Sequence, residues 1–104
     1  MSGARSRTKG KVGEREWAAF LRAHGFAAHR GQQFSGSNES PDVVAPGLPG
    51  IHFECKRTEQ VSLDAWLKQA KDDAGDKIPV VAHRKNRGGW IIVMDAEQFM
   101  RLLK

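Results

Sequence analysis

Three charged residues in the middle of the chain, Asp42, Glu54 and Lys56, have types and spacing that could support metal-assisted chemistry. Asp42 opens one short apolar stretch, and Glu54 and Lys56 alternate with other residues in the next. The Pro and Gly residues between these stretches are typical of a tight connection. We therefore predict a β-hairpin with strands at 42–45 and 51–57 and a loop at 46–50.

The register of this hairpin decides which side chains meet. If the loop closes on residues 45 and 51, Val43 faces Phe53 and Asp42 faces Glu54. Directly opposed residues project from the same face of a sheet, with Cβ atoms roughly 4.5–5.5 Å apart. Alternation adds Lys56 to the face of Glu54 and turns Phe53 towards the core. Two carboxylates and one ammonium group are therefore expected on one patch.

Such crowding needs compensation, because like charges directly opposed destabilise a sheet. A hard divalent cation supplies it, and Mg²⁺ typically takes one or two carboxylates together with water and phosphate oxygens. We predict a Mg²⁺ site at Asp42 and Glu54, in which Mn²⁺ could substitute, with Lys56 balancing part of the charge. The alternative is that Asp42 caps a turn and the other two form a solvated strand face that binds nothing.

The charge balance favours a polyanionic partner. The chain has 17 Lys and Arg against 12 Asp and Glu, a net charge of +5 and a pI of about 9.8. Nucleic acid is favoured over a membrane, since no basic amphipathic helix stands out, although a merely solvated surface would have the same composition. The basic candidates are a tail with Arg5, Arg7, Lys9 and Lys11, a turn with Arg84, Lys85 and Arg87, and the separate Arg30 and Arg57.

The length predicts one domain. We assign it to residues 12–104, after a flexible basic arm at residues 1–11. No apolar run approaches the ~20 residues that span a bilayer, and the arm lacks the apolar stretch of a secretory signal. The single cysteine, Cys55, excludes an internal disulfide framework. A cytoplasmic location is therefore the default expectation. Cys55 points to the core side of its strand, so we do not expect it to act as a nucleophile.

Periodicity predicts the remaining elements. A helix at residues 13–24 ends at Gly25, and a second at 62–74 ends at Gly75. Strands are predicted at 26–30, 79–83 and 90–94, and a polar loop at 31–40. Asp95 can cap a last helix whose apolar residues Phe99, Leu102 and Leu103 would face inward. The order α-β-β-β-α-β-β-α predicts an α/β fold with one mixed sheet flanked by helices.

The motif formed by Pro41-Asp42 and Glu54-Cys55-Lys56 resembles that of the PD-(D/E)XK nucleases, and the predicted order of elements is similar to their αβββαβ core. The resemblance implies a restriction-endonuclease-like fold and Mg²⁺-dependent hydrolysis of DNA. Asp42, Glu54 and the backbone carbonyl of Cys55 would hold the metal. Lys56 would orient the attacking water or stabilise the developing negative charge.

A closer likeness covers residues 10–58. The helix start Gly10-Lys11-Val12-Gly13-Glu14-Arg15-Glu16, the turn His24-Gly25-Phe26, Arg30 and the following Ser/Gly loop resemble archaeal-type Holliday-junction resolvases. This likeness implies that Glu14 is the acidic residue of the first helix, with Glu16 as the alternative. It makes Arg15 and Arg30 candidate phosphate contacts, and implies a homodimer that acts on branched DNA.

Two further residues could belong to the site. Gln69 could reach it from the second helix, as a glutamine or lysine does in some relatives, or it could be an exposed helix residue. His52 falls on the face of Glu54 in the predicted register. Two functional alternatives stay open beside the resolvase. One is a related phage-type nuclease acting on nicks, flaps or single strands, and the other is a non-catalytic basic DNA-binding domain.

Overall fold

A five-stranded mixed sheet forms the centre of the fold. The computed structural model describes residues 2–31 and 42–104, with side chains from Lys11 onwards. The strands follow one another in chain order: β1 His29–Arg30, β2 Val43–Val44, β3 Ile51–Arg57, β4 Ile78–Arg84 and β5 Ile91–Val93. The helices are α1 Ser2–Ala23, α2 Leu63–Ala74 and α3 Ala96–Leu103. Strands β3 and β4 are parallel and the other neighbours antiparallel, which confirms the predicted element order and mixed sheet.

Helix α1 begins at Ser2, well before the predicted start at Gly13. The segment expected to be a flexible arm, residues 1–11, is therefore helical from its second residue, whereas its flexibility stays a prediction. Apolar periodicity cannot detect this part of the helix because it has no apolar face. Ala, Arg and Lys nevertheless have favourable helix propensities, and an existing helix gains one hydrogen bond for each residue added. The domain boundary at residue 12 stays a prediction.

Helices cover both faces of the sheet. Helix α1 packs on β1, β2 and β3, and its buried Trp17, Ala18 and Leu21 meet Phe53 and Val80. Helix α2 packs on β3 and β4, where Trp66 and Ala70 meet Val81. Strand β4 is buried along almost its whole length, as expected for a strand that is covered on two faces. Any polar side chain in the middle of β3 is therefore enclosed.

A glycine allows α1 to approach β3 closely. A Cβ atom built on Gly13 would lie 2.6 Å from the Cβ of Arg57 and 3.5 Å from the Sγ of Cys55. The first distance is shorter than two carbon atoms tolerate, and neither partner atom lies at the end of a long flexible side chain. The approach holds the next residue, Glu14, against the sheet.

The hairpin and the helix ends follow the sequence closely. Val43 pairs with Phe53, the register predicted for β2 and β3. Gly25 and Gly75 have φ values of 93° and 61°, in the left-handed region that only glycine adopts without strain. Ser62 accepts the first backbone hydrogen bond of α2 from Trp66, but its side chain makes no cap.

Helix α3 does not bury its apolar face. Phe99, Leu102 and Leu103 were expected to face inward, yet they are 43%, 44% and 65% exposed, and no residue of the helix is buried. Ile91 and Ile92 of the edge strand β5 are exposed as well. Amphipathic spacing shows which face of a helix is apolar, but it does not show what covers that face. We call the set of exposed apolar residues Ile91, Ile92, Phe99, Met100, Leu102 and Leu103 the α3–β5 surface.

The predicted polar loop at 31–40 lies outside the described residues except for Gly31, and so does Pro41 of the nuclease-like motif. Within the described ranges, no helix has the length and apolar character that crossing a bilayer demands.

Candidate active site

Strand β3 carries Glu54 and Lys56 on the face covered by α2. The Glu54 side chain is 4% exposed. The Lys56 side chain is half-buried, and its Nζ donates a hydrogen bond to the Oε1 of Gln69 on α2, at 2.8 Å. Gln69 is an exposed helix residue, as one of its two alternatives had it, and it also contacts Lys56. A role of Gln69 in the site stays a prediction. The Glu54 side chain is enclosed between strand and helix, which differs from the solvated strand face that was the alternative interpretation.

Asp42 stands at the start of β2 and is joined directly to β3. Its Oδ2 accepts a hydrogen bond from the backbone N–H of Cys55, at 2.9 Å. In the register that pairs Val43 with Phe53, the next opposed pair is Asp42 and Glu54. Burial raises the pKa values of both Glu54 and Glu14, and the charge of Asp42 raises them further. The Asp42 carboxylate is therefore close enough to both glutamates to influence their ionisation.

Burial raises the pKa of Glu54 from its ordinary value of 4.5 to about 7. The hydrogen bond with His52 opposes this shift, and the negative charge of Asp42 adds to it. The Nε2 of His52 lies 2.9 Å from the Oε1 of Glu54, and both side chains are at most 5% exposed. A carboxylate in such surroundings loses hydration that neighbouring dipoles replace only in part.

Asp73 is a third partner of this carboxylate that sequence reasoning missed. It forms a hydrogen bond with Glu54 that raises the pKa of Glu54 further. The sequence did contain a signal, because Asp73 follows Gln69 by four residues on α2 and such residues share one helix face. Once Gln69 is placed in the site, Asp73 follows. His52, in contrast, lies on the face of Glu54 that the predicted register assigned to it.

The two candidate glutamates of α1 have different surroundings. Glu14 accepts a hydrogen bond from the Nε of Arg30 at 2.7 Å, and burial raises its pKa beside Asp42. Glu16 instead accepts from Arg57 at 2.9 Å and from Arg84 at 3.4 Å. Glu14 is therefore the glutamate that shares the electrostatic field of the Asp42–Glu54 pair, whereas Glu16 ties the helix to the ends of β3 and β4.

The predicted phosphate contacts fall into two groups. Arg30, Arg57 and Arg84 are all engaged in ion pairs with α1, and the Arg57 side chain is only 13% exposed. Their charges are partly neutralised where they stand. Arg15, Lys85 and Arg87 are exposed, so these three can reach a phosphate without first leaving an ion pair that the structure describes.

The turn between β4 and β5 is fastened from several sides. Gly88 donates its backbone N–H to the carbonyl of Lys85 at 3.1 Å, and Arg84 donates to the carbonyl of Gly88 at 2.7 Å. The Nη1 of Arg57 donates to the side chain of Asn86 at 2.8 Å. These contacts hold Arg87 at a φ of 62°, which is unfavourable for a residue with a Cβ atom. A strained residue at an exposed basic turn is a functional candidate.

Cys55 contributes through its backbone. Its side chain packs against the α1 core cluster, as predicted. Burial raises the pKa of its thiol, and the charges of Asp42 and Glu14 raise it further. The thiol is therefore protonated at neutral pH, and a protonated thiol is a poor nucleophile.

A mixed sheet between helices, with Asp and Glu-x-Lys on neighbouring strands, defines the class of PD-(D/E)XK nucleases. Over residues 5–104 the chain matches the family described as "Phage putative PDDEXK endonuclease", and it belongs to that family. Among solved structures it is similar to Hjc, a Holliday junction resolvase of Archaeoglobus fulgidus, with 26% identity, a TM-score of 0.60, and coverage of 83% of this chain and 72% of that one. No curated protein matches it. The predicted superfamily and fold are confirmed.

The donor set fits the divalent ions that nucleases of this superfamily use. Asp42 and Glu54 offer carboxylate oxygens, and Cys55 follows Glu54 with a backbone carbonyl. The Asp42 charge makes ionisation of Glu54 harder, and a bound cation reverses that effect because it favours the charged form of both. An all-oxygen set suits hard cations such as Mg²⁺.

The burial of Glu54 predicts how stability depends on pH without metal. The folded-state pKa of about 7 exceeds the ordinary 4.5, so the folded protein holds this proton more tightly than the unfolded chain does. The contribution of this proton to the free energy of unfolding is fully present below pH 4.5. It is lost as the pH rises through about 7, and the loss is at most roughly 3 kcal/mol. Urea unfolding in chelator across this range measures the loss.

The Glu54→Gln variant should lack most of this loss, apart from a smaller part due to Glu14, whose pKa is also raised. Glu97→Gln changes an exposed glutamate and should behave as wild type. If the wild-type and Glu54→Gln proteins lose stability equally over this range, Glu54 does not carry the effect.

Proposed function

We propose that this protein is an endonuclease that hydrolyses DNA phosphodiester bonds with Mg²⁺ and prefers four-way junctions. The observation that supports it best is that Asp42 is hydrogen-bonded to β3 in the register opposite Glu54, whose side chain is 4% exposed in a basic protein. Lys56 follows two residues later on the same face of β3. A surface that only bound DNA would normally exclude buried carboxylates, since they repel phosphate. The similarity to a Holliday junction resolvase supports the choice of substrate. A cytoplasmic location remains the default prediction from the sequence.

Asp42, Glu54 and the backbone carbonyl of Cys55 would hold the ion. When bound, Mg²⁺ (or Mn²⁺ in its place) supplies positive charge at the scissile phosphate and favours deprotonation of water. The contribution of the protein is to present the ligands in a fixed arrangement. The hydrogen bond from Cys55 to Asp42 fixes one carboxylate, and the His52 contact orients the other.

Lys56 lies two residues after Glu54 on β3, so its side chain projects from the same face of the sheet. Its hydrogen bond to Gln69 restricts a side chain that is otherwise flexible. In this position it can orient the attacking water or stabilise the charge that develops on the phosphate. Gln69 is a positioning residue in this proposal, because it acts through Lys56.

Glu14 supplies a further acceptor at the edge of the site. Its carboxylate is 15% exposed and paired with Arg30, so it can hold a water molecule next to Asp42 while its charge is partly balanced. Arg30 is 35% exposed and can also meet a phosphate oxygen. One ion pair thus joins a water-positioning group to a phosphate-binding group.

Exposed basic residues would grip the phosphate backbone. Arg15 on α1 and the turn residues Lys85 and Arg87 are exposed, and Arg57 and Arg84 fasten that turn in place. A pre-formed basic turn costs less ordering entropy on binding than a flexible one. Affinity should accordingly fall steeply as salt increases.

A homodimer would pair the α3–β5 surface with a second copy. This surface combines an edge strand with the apolar face of an unburied helix, and such patches are typical of interfaces. The charges on α3 favour self-association, because Glu97 lies in the first turn and Arg101 in the last. Antiparallel pairing across a two-fold axis therefore sets the acidic end of one helix against the basic end of the other.

A cleavage assay tests the proposed active site. Wild type, Asp42→Asn and Lys56→Ala are incubated with labelled four-way junction, flap and linear duplex, with Mg²⁺ or with chelator. Each variant should lose at least about 100-fold in rate, because each removes several kcal/mol of transition-state stabilisation. Asp76→Asn changes an exposed aspartate and should cut as wild type does.

Equal cutting of all substrates would contradict the junction preference but not the nuclease activity. It would favour the alternative of a nuclease that acts on nicks, flaps or single strands. Full activity of Asp42→Asn, or of wild type in chelator, would contradict the metal site. A protein that binds DNA and cuts none of the substrates would be the non-catalytic domain.

The strained turn predicts opposite effects of one substitution on stability and binding. Arg87→Gly relieves the positive φ and should stabilise the fold by up to about 1 kcal/mol. It also removes a phosphate contact, so DNA affinity should fall and the salt dependence should weaken by about one unit of slope. Arg87→Ala should lose the affinity without the gain in stability.

Lys77→Ala is the matched control for Arg87. It removes one exposed charge next to the opposite end of β4 and should change neither property. Unfolding curves measure the stability, and binding to a DNA junction at several salt concentrations measures the affinity. If Arg87→Gly binds with wild-type affinity, the turn does not contact DNA.

The proposed dimer predicts a change of mass. Met100 is 51% exposed on α3, in the α3–β5 surface, so Met100→Glu should convert a dimer into a folded monomer, seen by light scattering. Val61→Glu places the same charge at an exposed apolar residue outside that surface and should remain a dimer. A monomeric wild type at all concentrations would remove the dimer and weaken the junction preference, but not the nuclease.

A further inference from the structure

Three potential metal ligands meet beneath α2 on the side of Glu54 that faces His52. His52 offers one ring nitrogen, and Glu54 and Asp73 each offer one carboxylate oxygen. These three atoms lie within 4.8 Å of one another. His52 and Glu54 are each 4% exposed, and Asp73 is half-buried. Two of the residues are two apart on β3 and the third is on α2, so the packing of helix on sheet assembles the set.

The arrangement is costly without a cation. Two carboxylates lie together in a poorly hydrated place, and one imidazole is their shared polar neighbour. Lys56, the ammonium group on the same strand, donates its hydrogen bond to Gln69 instead. Bringing two acidic groups together out of water is unfavourable unless a cation or a shared proton compensates.

The ligand types indicate which cation would fit. Imidazole nitrogen is a ligand for Zn²⁺, Co²⁺ and related transition ions, whereas Mg²⁺ strongly prefers oxygen. Three protein ligands that leave a fourth position for water form a common zinc arrangement. Ligand atoms within 4.8 Å of one another can all approach a central ion after small side-chain rotations, because nitrogen and oxygen bind Zn²⁺ at about 2.0–2.2 Å.

We propose that His52, Glu54 and Asp73 form a second cation site, selective for transition ions over Mg²⁺. The site shares Glu54 with the proposed nuclease centre but does not use Asp42. This proposal rests on the proposed function in one respect only, because the site is second only if the nuclease centre is the first. The set of ligands stands on geometry alone, and it can be tested without any cleavage measurement.

Cobalt is a suitable probe, because Co²⁺ bound by nitrogen and oxygen in a low coordination number absorbs visible light. Metal-free protein is titrated with Co²⁺ in the presence of excess Mg²⁺. We expect one equivalent to produce saturable absorption that Zn²⁺ abolishes by displacement. Asp73→Asn and His52→Gln should each weaken Co²⁺ binding at least about tenfold. Circular dichroism verifies that each variant is folded.

Two variants serve as controls. Asp72→Asn changes the neighbouring aspartate, which is 62% exposed and paired with Lys68, and it should bind Co²⁺ as wild type does. Asp42→Asn removes a ligand of the proposed Mg²⁺ centre only, so it should lose cleavage and keep the Co²⁺ absorption.

The outcomes separate the two proposals. If Asp42→Asn abolishes the absorption and Asp73→Asn does not, Co²⁺ occupies the nuclease centre and the second site is refuted, while the nuclease stands. If no variant changes the titration, or wild type binds no Co²⁺ in excess Mg²⁺, the three residues form only a hydrogen-bonded cluster. If His52→Gln does not fold, the comparison of Asp73→Asn with Asp42→Asn still shows which of the two sites binds Co²⁺.

Discussion

The burial of one carboxylate, that of Glu54, governs the arrangement of the residues around it. An acidic group in the middle of a strand covered by α2 loses most of its hydration, and the loss raises its pKa to about 7. His52, Asp73 and the nearby Asp42 are each placed where they influence that group. A domain selected only for stability would place an apolar residue there. The presence of a carboxylate instead is typical of a functional site, where stability is given up for chemistry.

The close approach of α1 to the sheet is the second condition for this site. Because Gly13 has no side chain, the helix lies directly against β3. Glu14 is then close enough to Asp42 for the two negative charges to repel each other. Ion pairs of Glu16 with Arg57 and Arg84 hold the same helix to the strand ends. The basic residues of this protein therefore have two uses. Some hold α1 to the sheet through ion pairs, and others, such as Arg87, are exposed and available to a partner.

Local rules explain where sequence interpretation succeeded and where it failed. The hairpin register could be predicted from Val43 and Phe53, because a short loop leaves little freedom in how two strands pair. The start of α1 was missed because residues 2–10 have no apolar periodicity, although their helix propensity is adequate. The apolar face of α3 was recognised, but its burial was not, because spacing contains no information on what lies opposite.

The sequence by itself determined the element order, the nuclease motif and the common face of Glu54 and Lys56, since these depend on neighbours in the chain and on strand alternation. Only the tertiary structure decided that Gln69 contacts Lys56 and Asp73 lies close to Glu54, that the charge of Asp42 acts on Glu14, and that Arg57 is occupied in an ion pair. These contacts connect residues far apart in sequence. Their geometry depends on how helices rotate and settle on the sheet, which is set by packing of the whole core and not by any local pattern.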